Sequence, residues 1–477
     1  MSHGGVAASL RGTVRELRAR VAFLEGELAA RDRLIGDLQR TIAEQRGQIE
    51  RLTALVEELQ RASKRQAAPF SKGQPKSDPA KPGRKPGARY GRRSGRAVPD
   101  RVDETYAASC PKRCSCGGAV DPAGTVDLYE VDLPRVEPKV RKFVCGYGHC
   151  ARCGRRVQGR HPFQTSDSHE VGTVHVGPVA LGLAARLKMV SGISYGQTAA
   201  VMKEVLNFPV HRSTLCRALA RLARRSEPTF ESLVAQARAS PVVYPDETGY
   251  RIGGRNAWAW AFVTKSVSLI CILWGRGYAE AASVLGHDYS GTLMPDGWAP
   301  YRRFKRATLG TCNAHLLRRC SEILASATRG AVRFPRAVKQ LLQDGLNLRD
   351  RRDARQLSRH GVKVALGRLK ARLGRLLAGT QMTNSINCRF AKHLRRYRDA
   401  IFRYLERPGL EATNWPAEHE MRVVARIRKS CAGNRTPRGA RTTSVLLSVL
   451  RTATKRNVDI LNLVAAIMRD PVPRPHL

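Results

Sequence analysis

The chain has 477 residues, with 84 Lys and Arg against 39 Asp and Glu, a formal net charge of +45. Such a length exceeds one ordinary core and implies about three domains, and the charge excess strains a compact state unless a polyanion, most commonly nucleic acid, relieves it. No apolar run approaches the roughly 18 residues of a spanning helix and the N-terminus lacks the apolar core of a signal peptide, so a cytoplasmic protein with no membrane partner is expected.

The first element is a coiled coil over residues 6–62. Steps of four and three from Leu10 pass through Val14, Leu17, Val21, Leu24 and Leu28 and continue to Leu59, with only Arg31 and Gln45 interrupting the apolar seam. A helix of this length cannot bury such a stripe alone, so homo-oligomerisation is expected. Residues 63–100 form a basic linker rich in Pro and Gly. With eleven Lys and Arg between Ser63 and Pro99 and a single acid, Asp78, this stretch cannot build a core. Arg84, Lys85 and Arg89 within it are candidates for DNA backbone contact, beside the plainer reading of a solvated tether.

Residues 101–165 carry six of the twelve cysteines. With no export signal, a disulfide framework is not expected, and the clustering points to structural zinc. Cys150 and Cys153 make a C-x2-C knuckle followed by Gly. Cys116 precedes Gly117-Gly118, and its knuckle partner is Cys110 or Cys114. An alternating, hairpin-like stretch, "VDLYEVDLPRVEPKVRKFVC", joins the two into a zinc-ribbon-like module.

Residues 170–230 read as helical. "SYGQTAAVMKEVL" is broken at "NFPV", and "HRSTLCRALARLARR" restarts with Ser213 or Thr214 as N-cap. Two short helices around a tight break, with Arg212 and Arg217 on the second, suggest a helix-turn-helix DNA-binding domain.

From residue 240 the pattern changes. A strand carrying Asp246 is followed by the strand-like runs "NAWAWAFVT" and "VSLICILW", a helix, a short strand ending in Asp296, another strand and a helix. This is the strand order of a ribonuclease-H-like α/β domain, in which the first and fourth strands are neighbours. Residues 240–325 are then its first part, 326–400 a helical insertion, and 401–470 its second part with C-terminal helices. The fold class is multidomain α+β. Phosphodiester chemistry on two hard cations requires carboxylates, so a third acid is needed. On the bare sequence Glu247, Glu406, Glu411, Glu418 and Glu420 are all open. Asn414, Glu418, Arg422 and Arg426 recur at i+4 and share one helix face, with Pro416 in its first turn.

Several segments together, "SPVVYPDETGYRIGGRNAWAWAFVT", "GRGYAEAASVLG", "DGWAPYRRF", "TCNAHLLRRC" and "ATNWPAEHEMRVVARIRKSCAGNRTPRGA", resemble the insertion-sequence-66 family of DDE transposases, as do "QAAPFSKG", the knuckles and "GRHPFQTSD". The resemblance covers most of the chain. It implies Asp246, Asp296 and Glu418 as catalytic residues holding two Mg2+ (or Mn2+). It also implies DNA, both element ends and target, as partner, possible accessory proteins of the same element, and a bacterial source. Arg113 stands where the family's first knuckle has Cys, and His419 where it often has Arg after the catalytic Glu. Cys312 and His315 fall in the family's C-x-A-H motif. Arg422, Lys429 and Arg435 are further expected DNA contacts. The expected activity is Mg2+-dependent cleavage and strand transfer at terminal inverted repeats, against the alternative of a non-catalytic DNA-binding regulator with zinc and helix-turn-helix modules.

Overall fold

The computed structural model describes residues 3–64, 97–165, 175–327, 329–378 and 383–477. Arg84, Lys85 and Arg89 lie outside the described residues. The chain divides into two compact units, Met1–Gly95 and Arg96–Leu477. In the first, helix α1 (His3–Lys64) runs without a break. Its seam residues Leu17, Val21, Leu24, Leu28, Ile35, Leu38 and Ile42 are all exposed.

The second unit begins with the cysteine segment. Its alternating stretch was expected to fold as a hairpin linking the knuckles, but residues 121–146 carry no strand. The hairpin sits instead around the second knuckle, where β1 (Tyr147–His149) pairs antiparallel with β2 (Arg156–Gln158). The reason is local. The four residues Cys150 to Cys153 close a tight turn, whereas Val126, Leu128, Val131 and Leu133 find nothing to bury against.

Helices α2 (Pro178–Ala185), α3 (Tyr195–Leu206), α4 (Arg212–Arg225) and α5 (Glu227–Ala239) follow, with a single π-helical stretch, Arg186–Ser191, after α2. Ser194 and Gln197 form a reciprocal capping box at the start of α3, and Asn207 ends it in the left-handed region at φ 48°. The cap of α4 is His211, not Ser213 or Thr214. Its imidazole Nδ1 accepts the Ser213 N–H at 3.3 Å, supplying the acceptor expected of a hydroxyl and drawing Ser213 into the first turn.

A five-stranded sheet comes next, in the order β5-β4-β3-β6-β7. Strands β3 (Val242–Ile252), β4 (Arg255–Val263) and β5 (Ser268–Leu273) form an antiparallel meander. After α6 (Tyr278–Leu285), the chain crosses to β6 (Thr292–Leu293) and β7 (Thr308–Leu309), both parallel to β3. Helices α7 (Asn313–Ser326), α8 (Arg333–Asp353), α9 (Arg359–Ala378), α10 (Ser385–Arg396) and the single turn α11 (Arg403–Glu406) lead to α12 (Trp415–Cys431), α13 (Pro437–Lys455) and α14 (Ile460–Arg469).

An open edge on β5 would be a row of unpaired backbone groups. Helix α13 seals it with three hydroxyls one turn apart. Ser444, Ser448 and Thr452 accept the N–H groups of Ile272, Ile270 and Ser268 at 3.0, 2.8 and 3.1 Å. The run of small hydroxyls in "SVLLSVLRTAT" thus has a structural task. One apolar core runs through the unit, from Leu219 and Leu222 of α4 through Trp260 and Phe262 to Leu447 and Met468.

Candidate active site

Asp246 lies inside an 11-residue strand, opposite Ala261 of β4, and does not end it. Its Oδ1 accepts the N–H of Glu247 at 3.0 Å. Strand β6 pairs with β3 at Val242↔Thr292 and Val243↔Leu293. That offset of 50 positions, carried forward, brings Asp296 level with Asp246 just beyond the paired stretch. Gly297 then turns the chain at φ 105°, and the Asp296 Oδ1 accepts the Trp298 N–H at 2.9 Å. The hydroxyl of Tyr397 donates to the Gly297 carbonyl at 2.8 Å, so the C-terminal end of α10 braces the loop that carries Asp296.

Glu418 is set by Asn414. This fully buried residue is the N-cap of α12, but its side chain does not cap. Its Nδ2 donates to the Pro245 carbonyl at 2.8 Å, one residue before Asp246, and its N–H donates to the Cys312 Sγ at 3.1 Å. Glu418 follows one turn later on the same face, with its N–H bonded to the Asn414 carbonyl at 3.0 Å.

The electrostatics show that the three acids share a neighbourhood. Burial pushes the Asp246 carboxyl up to about 8, and the charges of Glu247, Asp296 and Glu418 add to the rise. Glu418 Oε1 is buried with no hydrogen-bond partner. Three half-buried carboxylates, one of them raised in part by the charges of the other two and one with an unpartnered oxygen, are a donor set suited to hard cations. The three do not close to within 4.8 Å of one another. Among the described residues, the trio of metal-ligating side chains that does so is Cys312, His315 and Glu418. Carboxylates spread around two ions roughly 3.5–4 Å apart have no need to converge on one point.

The other glutamates are occupied elsewhere. Glu247 is buried, accepts from Tyr301 Oη at 2.8 Å and pairs with Arg276 at 3.0 Å. Burial raises its carboxyl, with the Asp296 charge adding and Tyr301 and Arg276 opposing. Arg276 in turn lies over the faces of Trp258 and Trp298 at 4.7 and 3.9 Å, tying the Asp296 loop to the sheet. Glu420 is buried against Arg451 at 2.7 Å and Ser268 at 3.1 Å. Glu406 pairs with Lys370 at 2.6 Å and also with Arg403, and Glu411 is exposed. The Glu247–Arg276–Tyr301 network and the brace from Tyr397 were not found from the sequence. Their partners lie 29 to 100 positions apart, and no local pattern marks them.

The basic candidates divide. Arg212 and Arg217 are exposed on α4, and Arg422, Lys429 and Arg435 are exposed on or just after α12. Arg428 is turned inward and braces β3 through Thr248 Oγ1 at 3.3 Å and the Gly249 carbonyl. Asn434 is likewise structural, accepting from Tyr250 Oη at 2.8 Å and donating to Thr443 at 3.0 Å.

The two cysteine knuckles share one design. The Gly117 N–H bonds the Cys114 carbonyl at 2.9 Å, and the Gly154 N–H bonds the Cys150 carbonyl at 2.8 Å. Each glycine has positive φ, 90° and 68°, where a side chain would strain the turn. Backbone hydrogen bonding lowers the thiol of Cys114, chiefly from Cys116, and that of Cys150, chiefly from Cys153. The thiol of Cys114 is thus in hydrogen-bonding reach of Cys116 across this turn. No three of the knuckle cysteines lie within 4.8 Å of one another.

No helix among the described residues is long and apolar enough to cross a membrane. No curated protein matches the chain. The description "Transposase IS66 family" matches residues 174–442, which contain the whole sheet and all three acids. Over more than half its length, then, the chain belongs to the IS66 transposase family.

Proposed function

We propose that this transposase binds the terminal inverted repeats of an insertion sequence and catalyses DNA strand cleavage and strand transfer with Asp246, Asp296 and Glu418 as its catalytic carboxylates. The observation that carries this reading is that Asp296, from the loop after β6, and Glu418, from α12, stand near enough to Asp246 of β3 for their charges to add to the rise that burial and Glu247 impose on its carboxyl, which reaches about 8. Such mutual repulsion costs stability and is relieved when the carboxylates hold cations. The sheet order supports a ribonuclease-H-like reading of this domain.

Two Mg2+ or Mn2+ ions held by these three residues would supply an activated water and charge compensation at the leaving oxygen. The chain itself supplies placement. Asn414 fixes the start of α12 to the carbonyl before Asp246, and Arg276 and Tyr397 hold the Asp296 loop from two sides. Each carboxylate keeps one oxygen engaged or oriented by its own backbone at Asp246 and Asp296, leaving the other for a cation. The exposed Arg422, Lys429 and Arg435 bind DNA phosphates near this face, and Arg212 and Arg217 on α4 present the helix-turn-helix to the element ends. Arg84, Lys85 and Arg89 add salt-sensitive backbone affinity.

Cys114, Cys116, Cys150 and Cys153 are the proposed structural zinc ligands; the lowered thiols of Cys114 and Cys150 and the matched turns suit thiolate ligation. The exposed seam of α1 supports self-association through a coiled coil. The site of action is the bacterial cytoplasm.

The test is a strand-transfer assay with the full chain, Mg2+, labelled element-end DNA and a plasmid target, comparing wild type with Asp246→Asn. Joined product from wild type alone supports the reading. End binding with no joining by either protein favours the DNA-binding regulator, and equal joining by both removes Asp246 from the mechanism.

A further inference from the structure

We infer that Cys312, His315 and Glu418 form a second metal site, selective for a borderline cation such as Zn2+, that shares its glutamate with the proposed catalytic set. Their ligand atoms all lie within 4.8 Å of one another, and His315 Nδ1 stands 3.7 Å from Glu418 Oε1. Cys312 is the N-cap of α7 and His315 lies in its first turn, so the i, i+3 spacing points both side chains to one side. Glu418 approaches from α12.

Two further observations point to a ligand. His315 Nδ1 and Glu418 Oε1 are both buried atoms with no hydrogen-bond partner, a costly arrangement that an ion between them would relieve. Cys312 Sγ already accepts the Asn414 N–H at 3.1 Å, the kind of second contact that steadies a metal-bound thiolate. The His315 and Glu418 side chains are about one third exposed, at 32% and 30%, which gives an ion a path in from solvent.

The donor set decides which ion. One sulfur, one imidazole nitrogen and one carboxylate oxygen suit tetrahedral Zn2+ or Co2+ with a fourth position left for water, and they suit Mg2+ poorly. Occupancy would draw Glu418 toward Cys312 and His315 and away from the aspartates. Zinc would therefore compete with magnesium for the same glutamate and restrain strand transfer. Only this last consequence rests on the proposed function; the binding itself does not.

The experiment titrates the full chain with Co2+ and follows sulfur-to-cobalt charge-transfer absorption in wild type, Cys312→Ser and His315→Gln. The knuckle cysteines contribute equally to all three proteins, so differences report this site. Each variant is expected to bind one cobalt at least about tenfold more weakly than wild type. Superimposable titrations of wild type and His315→Gln, whose partly exposed side chain can be replaced without opening the core, would overturn the proposal even if Cys312→Ser fails to fold. In parallel, the ratio of strand transfer with and without micromolar Zn2+ is measured within each protein in Mg2+. A strong zinc effect in wild type that disappears in His315→Gln supports the shared glutamate, and the same ratio in both overturns it. Should wild type join no DNA under any condition, the functional reading fails while the cobalt titration still decides the site.

Discussion

Residues 126–133 and 256–263 are both rich in strand-forming residues, yet they meet opposite fates. In the first, Leu128 and Leu133 are 91% and 87% exposed and no strand forms. In the second, Trp260 and Phe262 are fully buried, stack on each other at 5.9 Å, and sit in the middle of a paired strand. The second has helices on its face and paired strands on both sides. The first has neither. Strand character becomes a strand when one face has something to bury against, and the candidate site lies in the part of the chain that met this condition.

The sharpest way to test this contrast is at the site the buried sheet builds. Asp296→Asn should lower strand transfer by at least about a thousandfold, comparable to losing a key electrostatic group elsewhere, with little change in thermal stability. A large loss of stability instead would make Asp296 a structural turn residue. Next in size is the packing comparison itself. Trp260→Ala should cost about 3–5 kcal/mol in urea unfolding, because its ring meets Phe262 and Tyr301 and its Nε1 bonds the Gly275 carbonyl at 3.2 Å. Leu128→Ala should stay within about 0.5 kcal/mol. Similar costs for the two would mean that residues 126–133 are covered in solution.

Asn414→Ala should be intermediate, costing about 1–3 kcal/mol for the unsatisfied Pro245 carbonyl. Strand transfer should fall while affinity for element-end DNA holds, since the change loosens Glu418 and touches no exposed cation. A parallel loss of DNA affinity would place Asn414 elsewhere in the mechanism.

The smallest effect is on pH. In EDTA the folded chain keeps the Asp246 proton up to about 8, whereas an unfolded carboxyl releases it near 3.8. Between those values the folded state binds more protons, so stability falls as pH rises across the interval. Asp246→Asn should remove that slope and raise the melting temperature at pH 8. An unchanged slope would mean that Asp246 ionises normally.

Local spacing in the sequence offered Asp246 and Asp296, the strand order around them and the two glycine-terminated knuckles, while Glu418 stood out from the other glutamates only through the family resemblance. Asp246 and Asp296 stand at the ends of recognisable apolar runs, and Glu418 recurs with Asn414 on one helix face. Local spacing misplaced the hairpin of the cysteine segment, since alternation does not say whether a face will be covered. It put the cap of α4 two or three residues late, since an imidazole acceptor is uncommon there.

What the sequence determined by itself was therefore periodic or contiguous: the 3.5-residue seam of α1, the alternation of β4, the charge excess and the positions of the acids. What the tertiary structure decided was which of those features meet. Glu247 and Glu420 look as available as Glu418 in the sequence, but Arg276 and Arg451 have already claimed them. Cys312 and His315 join Glu418 across more than 100 positions. Pairing of this kind depends on strand register and helix docking, which are set by burial over the whole core and not by any neighbour in the chain.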